Sequence, residues 1–156
     1  MVHIFRGLSN RFQHFLAWMW EQKGTPAMRA RGFAVGVFSG CFPLFGLQTI
    51  MGVALAALFR GNPLLAAIGT WISNPITYLP LYWFNYQVGC FFLGKGPVLP
   101  NLEELTFKHF WSHGWLLGSR ILLGSALVGA IIAILMGAVV YTVSRILSSS
   151  SSTIRD

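Results

Sequence analysis

Three stretches of this chain carry no charged residue: 32–59, 61–94 and 121–144, which are 28, 34 and 24 residues long. Each is longer than the roughly 18–20 residues that cross a bilayer as an α-helix. A water-facing surface needs about 25–35% Lys, Arg, Glu and Asp. Here 10% of residues are charged and 54% are hydrophobic. The expected fold class is therefore an all-α integral membrane protein, with the lipid bilayer as its first partner. The net charge of +7 raises the question of nucleic acid. The basic residues flank the apolar runs, however, where they serve as anchors for anionic lipid head groups. No zinc-finger, RNP-like or basic helix–turn–helix pattern accompanies them, and nucleic acid is not an expected partner.

The first two runs are broken by their own residues. "GFAVGVFSGCFPLFGLQTIMGVALAALF" (32–59) holds Pro43 and Gly46 near its centre. Gly32, Gly36 and Gly40 recur every fourth residue ahead of that break, on one helical face that another helix can approach closely. In the second run Asn62–Pro63 is a helix-start signal, an N-cap followed by a proline whose missing N–H has no helical partner. It predicts a half-helix of about ten residues. Ser73–Asn74–Pro75 repeats the signal inside hydrophobic sequence, and Pro80 follows. Pro43, Gly46, Pro63, Pro75 and Pro80 are thus read as structural helix breaks. A segment that restarts a helix midway is a discontinuous or re-entrant element, because a broken backbone in hydrocarbon needs surrounding protein or a cavity. "GVFSGCFPLFGLQT" and "GTWISNPITYLPLY" echo each other coarsely, each passing from glycine through a small polar residue to proline. Paired interruptions of this kind point to a binding site near the membrane midplane.

The ends are simpler. Residues 1–24 contain Ile4, Leu8, Phe12, Phe15, Leu16 and Met19 at helical spacing, with Arg6, Asn10, Arg11, Gln13 and His14 largely opposite. This predicts an interfacial amphipathic helix. Arg6 and Arg11 interrupt it too early for a secretory signal. Thr25–Pro26 opens the membrane domain, 25–147, whose core motif region is 31–94. Pro97, Pro100 and Asn101 predict a loop, and "NLEELTFKHFWSHGW" a short interfacial helix capped by Asn101, with Glu103 and Glu104 in its first turn. Residues 121–144 predict one plain C-terminal transmembrane helix, with Gly118, Ser125, Gly129 and Gly137 as packing points. Residues 148–156 read as a disordered serine-rich tail.

Uncharged polar residues gather at the two breaks: Ser39, Gln48 and Thr49 at the first, Ser73, Asn74 and Thr77 at the second, with Asn85 and Gln87 beyond. The six at the breaks themselves, Ser39, Gln48, Thr49, Ser73, Asn74 and Thr77, are the candidate ligand-binding residues. In one reading the breaks satisfy each other, Asn74 capping its own helix and Gln48 bonding the opposite loop. In the other, helix N-termini line a cavity that receives an anionic or polar group such as a lipid phosphate. The two are compatible, and Pro43 and Gln48 are the expected neighbours of the second break. No catalytic constellation is found. His109 and His113 are spaced i, i+4 but lack the internal Glu of HExxH, and read as interfacial histidines. Cys41 and Cys90 read as small hydrophobes. The chain is read as a non-enzyme with no cofactor and no metal.

"GFAVGVFSGCFPLFGLQT", the Arg60–Gly61–Asn62–Pro63 joint and "GTWISNPITYLPLYWFNYQVG" together resemble a bacterial family known as domain of unknown function 2062. The Phe-Pro-x-x-Gly-x-Gln-Thr and Ile-Ser-Asn-Pro-x-Thr pair carries the resemblance, strictly over 60–65 residues from about Arg31 to Gly94. It implies a small bacterial membrane protein without an established activity. Family members are sometimes joined to glycosyltransferase-like domains, which hints at envelope glycan or lipid-carrier metabolism; this sequence shows no such domain.

The location expected is the bacterial inner membrane with the N-terminus cytoplasmic. If all three runs cross, eight basic residues fall inside and three outside, in keeping with the positive-inside rule. A re-entrant arrangement would instead return Arg60 to the cytoplasmic side. Two functional expectations follow. One is transport or lipid-head-group handling, with a lipid head group or small polar solute at the paired breaks. The other is a scaffold or assembly partner of a larger membrane complex or of envelope-glycan enzymes, its glycine faces docking a membrane-protein partner or a second copy of the chain.

Overall fold

A computed structural model describes residues 24–96 and 107–152, with side chains at 24–96 and 114–148. The amphipathic helix at 1–24, the Asn101 cap with Glu103 and Glu104, the His109 and His113 side chains and residues 153–156 lie outside the described residues.

The described residues form helices joined by turns. Helix α1 (Pro26–Gly40) starts where Thr25 Oγ1 accepts the Met28 amide at 3.2 Å. Helix α2 (Leu47–Leu58) follows a turn at 41–46. Helix α3 (Pro63–Gly69) starts where Asn62 Oδ1 accepts the amides of Leu64 and Leu65 at 2.9 and 3.1 Å. A 3₁₀ turn, Thr70–Ile72, extends it to the ten residues the sequence predicts. Helix α4 (Tyr78–Leu93) comes after the second break. Pro80 does not interrupt α4. It is the helix's third residue, in the first turn, where amides lack intrahelical acceptors.

Helix α5 (Phe107–Ser152) replaces two predicted elements. From Phe107 onward the short interfacial helix and the spanning helix are one continuous rod. No proline occurs between 107 and 152, and the change in polarity that suggested a boundary has no power to end a helix. The rod also continues through Ser148 to Ser152, inside the stretch read as tail. Serine costs a helix only a few tenths of a kcal/mol, and Ser148 Oγ bonds back to the Ser144 carbonyl at 2.7 Å. Within α5, Gly114–Ser148 is long and apolar enough to cross a membrane.

Close backbone approaches set the packing. A Cβ on Gly32 would strike the Asn62 backbone, one on Gly36 the Ala66 carbonyl, and one on Gly40 the Thr70 backbone. The constant offset of thirty residues makes α1 and α3 parallel neighbours. Between them in sequence, α2 returns antiparallel. Gly52 faces Gly36 and Ser39, and Gly61 lies against Gly32. The Asn62 amide bonds the Met28 carbonyl at 2.9 Å, so the Arg60–Asn62 joint sits beside the start of α1. The end of α2 carries a Schellman motif, with Gly61 N–H on the Ala56 carbonyl (2.7 Å) and Arg60 N–H on that of Ala57 (3.3 Å). Arg60 takes the left-handed conformation at φ 52°, a position usually given to glycine. The glycine is one residue later, where contact with α1 leaves no room for a side chain.

Helix α5 runs antiparallel to α1 and then to α4. Gly137 meets Ala34, and Gly129 meets Phe38 and Cys41. Ser125 bonds Asn85 at 2.9 Å, and Arg120 meets the backbone at Gly89. Helices α1 and α4 therefore follow one another along α5, the end of α1 at Cys41 reaching the middle of α4 at Asn85 near Ser125. Of the predicted packing points on α5, Gly118 faces open space; Gly124, unmarked in the sequence reading, is the tight one, against the Asn85 carbonyl.

The distribution of side chains inverts that of a water-soluble domain. The buried residues are mostly small or polar, including Ala30, Val37, Ala66, Ser39, Thr70, Asn85 and Ser125. Trp71, Ile76, Leu79 and Phe91 are each more than three-quarters exposed. Large apolar residues normally leave water, whereas interfaces of small residues are how helices pack in lipid.

Candidate functional site

Breaking a helix leaves carbonyls at one end and amides at the other without partners. At the first break, the Cys41 carbonyl accepts Asn85 Nδ2 at 3.0 Å and the Phe42 carbonyl accepts Tyr82 Oη at 3.2 Å. Both donors come from α4. The turn itself needs Gly46, which starts α2 at φ 80° without a side-chain cap. Phe45 sits edge-on to Tyr78 and Tyr82, with centroids 5.0 and 6.1 Å apart. Asn85 is fully buried; its second donor bond goes to Ser125 Oγ, and its Oδ1 has no partner.

The second break closes on itself. Asn74 Oδ1 accepts the amides of Ile76 and Thr77 at 2.9 and 3.1 Å. Thr77 Oγ1 returns an acceptor to the Asn74 amide at 2.9 Å and donates to the Ile72 carbonyl at 2.7 Å. This is a reciprocal capping box with threonine in the place of the usual Glu or Gln. The Asn74 carbonyl then takes the Tyr78 amide at 3.0 Å, leading into α4.

The breaks lie side by side. Ser73 Oγ donates to Gln48 Oε1 at 3.2 Å, and the hydroxyls of Thr49 and Thr70 are 3.2 Å apart. Between them is a cleft of about 350 Å³ lined by Gln48, Thr49, Thr70, Trp71, Ser73, Asn74, Pro75 and Tyr78. Four of the six predicted binding residues thus come together: Gln48, Thr49, Ser73 and Asn74. Ser39 does not join them. It is buried where α1 meets α2 and bonds the Val35 carbonyl at 2.8 Å. Thr77 is spent on the capping box outside the lining. Of the two expected neighbours of the second break, Gln48 reaches it through Ser73, while Pro43 does not line the cleft.

Sequence reasoning passed over Thr70, Trp71 and Tyr78 in the cleft, and left Tyr82 and Asn85 without a role. One signal was available for three of these. Tyr78, Tyr82, Asn85 and Gly89 recur at four, three and four residues, one face of α4, and that face meets the first break and α5.

At the far end of α4, Arg120 is 8% exposed. Its guanidinium donates to the carbonyls of Leu93 (3.3 Å), Gly94 (3.0 Å), Lys95 (3.2 Å) and Leu116 (2.6 Å). A cation there also meets the negative end of the α4 dipole. This arrangement caps a helix and involves no cleft residue.

A family model described as "Uncharacterized protein conserved in bacteria (DUF2062)" matches residues 9–152. Comparisons with curated proteins and with solved structures find no match. Both motifs that carry the resemblance fall inside the matched stretch and supply the two walls of the cleft.

Proposed function

The chain belongs to the bacterial DUF2062 family, and on that premise we propose a small integral membrane protein that holds a polar head group or small polar solute between its two helix breaks, without chemistry on it. The observation that carries this reading is the cleft. Uncharged hydrogen-bonding groups of Gln48, Thr49, Thr70 and Ser73 gather in about 350 Å³, in a chain whose outer surface is apolar. A concave site with a few convergent polar groups is the usual form of a small-molecule site. Ordered non-helical backbone at membrane depth belongs beside such a cavity.

The same reading makes α1 and α2 a re-entrant hairpin, α3 and α4 a broken crossing, and α5 the return. Arg29, Arg31, Arg60 and Arg145 then lie at one end, and Lys95 and Arg120 at the other. The positive-inside rule assigns the first end to the cytoplasm. The 24 uncharged residues between Arg120 and Arg145 span about 36 Å as helix, enough for a bilayer core of roughly 30 Å. The scaffold alternative has less support. Its docking faces at Gly32, Gly36 and Gly40 are covered by α3, and that at Gly129 by α1.

Two measurements test this. Native mass spectrometry of the chain purified with its own lipids should find a retained adduct that Gln48→Met removes; a stoichiometric protein partner with no adduct would favour the scaffold. Single cysteines placed at 31 and 60, which flank the first run, should react with an impermeant maleimide from the same side of the membrane. Reaction from opposite sides would replace the hairpin with a third crossing.

A further inference from the structure

The hydrogen-bonding state of the cleft selects among polar ligands. Thr70 Oγ1 donates to the Ala67 carbonyl at 2.7 Å, so in the Thr49–Thr70 pair the donor is Thr49. Ser73 directs its hydrogen to Gln48 Oε1 at 3.2 Å, with the Thr70 carbonyl at 3.3 Å. The hydroxyl hydrogens of Thr49 and Ser73 are therefore turned inward, and what these groups offer a ligand is lone pairs. Gln48 is the complement. It is 7% exposed, its Oε1 is engaged by Ser73, and its Nε2 carries two donors with no partner among the described residues.

A ligand that satisfies this wall must both accept and donate, which a hydroxyl does and an ionised phosphate oxygen does not. Charge gives the same answer. None of the described residues lining the cleft is Lys, Arg or His. A desolvated anion without a counter-charge is strongly disfavoured, and the N-terminus of α2 offers only roughly half an elementary charge. Trp71 lines the cleft and is 78% exposed, an aromatic face beside the polar wall of the kind that covers the C–H face of a ring.

We infer that the cleft takes a neutral, hydroxyl-bearing group, the face of a sugar or a polyol, and not a phosphate. This rests on the reading of the cleft as a binding site. The hydroxyls can belong to a glycolipid head group or to a free solute, which present the same chemistry.

The test uses the full chain in lipid nanodiscs and native mass spectrometry. Three probes are compared: glucosyl-diacylglycerol, phosphatidic acid with the same acyl chains, and methyl glucoside in solution. Glucosyl-diacylglycerol or methyl glucoside should be retained over phosphatidic acid by about tenfold or more, and whichever of the two is retained better names the source. Gln48→Met and Trp71→Ala should each lower that retention by about tenfold, the factor set by one good contact. Trp71 is mostly exposed, so its removal leaves the packing intact and guards against a variant that merely misfolds. Preferential retention of phosphatidic acid that Gln48→Met abolishes would overturn the neutral-ligand assignment and keep the cleft as the site. Retention of every probe unchanged in both variants, or no retention at all, would overturn the cleft reading as well.

Discussion

The two helix breaks meet the same requirement in opposite ways. At 73–77 the partners of the backbone groups are at most five residues apart: Asn74 and Thr77 cap each other's backbone, and Thr77 also holds the Ile72 carbonyl. At 41–46 the released carbonyls are held by Tyr82 and Asn85, which are 40 and 44 residues away in sequence. One break is therefore a local motif that forms wherever its few residues go; the other has a local bond at Phe42, from the Leu44 amide at 2.8 Å, but its Cys41 carbonyl is satisfied only once α4 has docked. The first break should be the fragile one, failing with any change that loosens α4, while the second should tolerate such changes.

The largest expected effect comes from Gly124→Leu, which places a side chain on the Asn85 carbonyl and separates α4 from α5. A loss of about 4 kcal/mol or more is expected, in the range of severe core disruption, and would be seen as collapse of the monodisperse peak in detergent. Asn85→Leu should come next. It strips donors from the Cys41 carbonyl and Ser125, a loss of about 1–3 kcal/mol, offset in part because the unpartnered Oδ1 goes with it. Measured by unfolding in mixed micelles, a value near zero would mean that the first break finds other partners. Asn74→Ala should cost about 1 kcal/mol, as for other N-caps. Its effect should add to that of Asn85→Leu within about 0.5 kcal/mol but not to that of Thr77→Val, since only the last pair shares a network. Strong coupling between Asn74 and Asn85 would merge the two breaks into one unit. Tyr82→Phe, which removes a single bond of 3.2 Å, should be the mildest, at about 1 kcal/mol or less.

This contrast also explains how much of the molecule could be read from the sequence. Thr25, Asn62 and Asn74 announce helix starts because a cap and its amides lie within three residues, and each does cap its own backbone. Gly32, Gly36 and Gly40 announce a close helix approach, but nothing in their spacing says that the partner is α3 of the same chain. That depends on α2 turning back at Arg60, where the cue is one residue in a left-handed conformation. The cleft was half legible: Gln48, Thr49, Ser73 and Asn74 stand out as polar residues beside prolines. Thr70 and Trp71 look like ordinary members of a half-helix until the breaks are placed side by side. Ser39 was misleading, since a serine in an apolar helix can satisfy itself on the carbonyl four residues back.

Along the α4–α5 interface, Asn85 is tied to Ser125 at one end, and at the other Arg120 grips the carbonyls of Leu93, Gly94 and Lys95. A single residue inserted into or deleted from the stretch 86–92 would turn everything beyond it by about 100° and shift it by about 1.5 Å. One anchor could then be kept only by giving up the other. Apart from Gly89, where a Cβ would strike the Arg120 carbonyl, the side chains of that stretch are largely free to change, but its length is not.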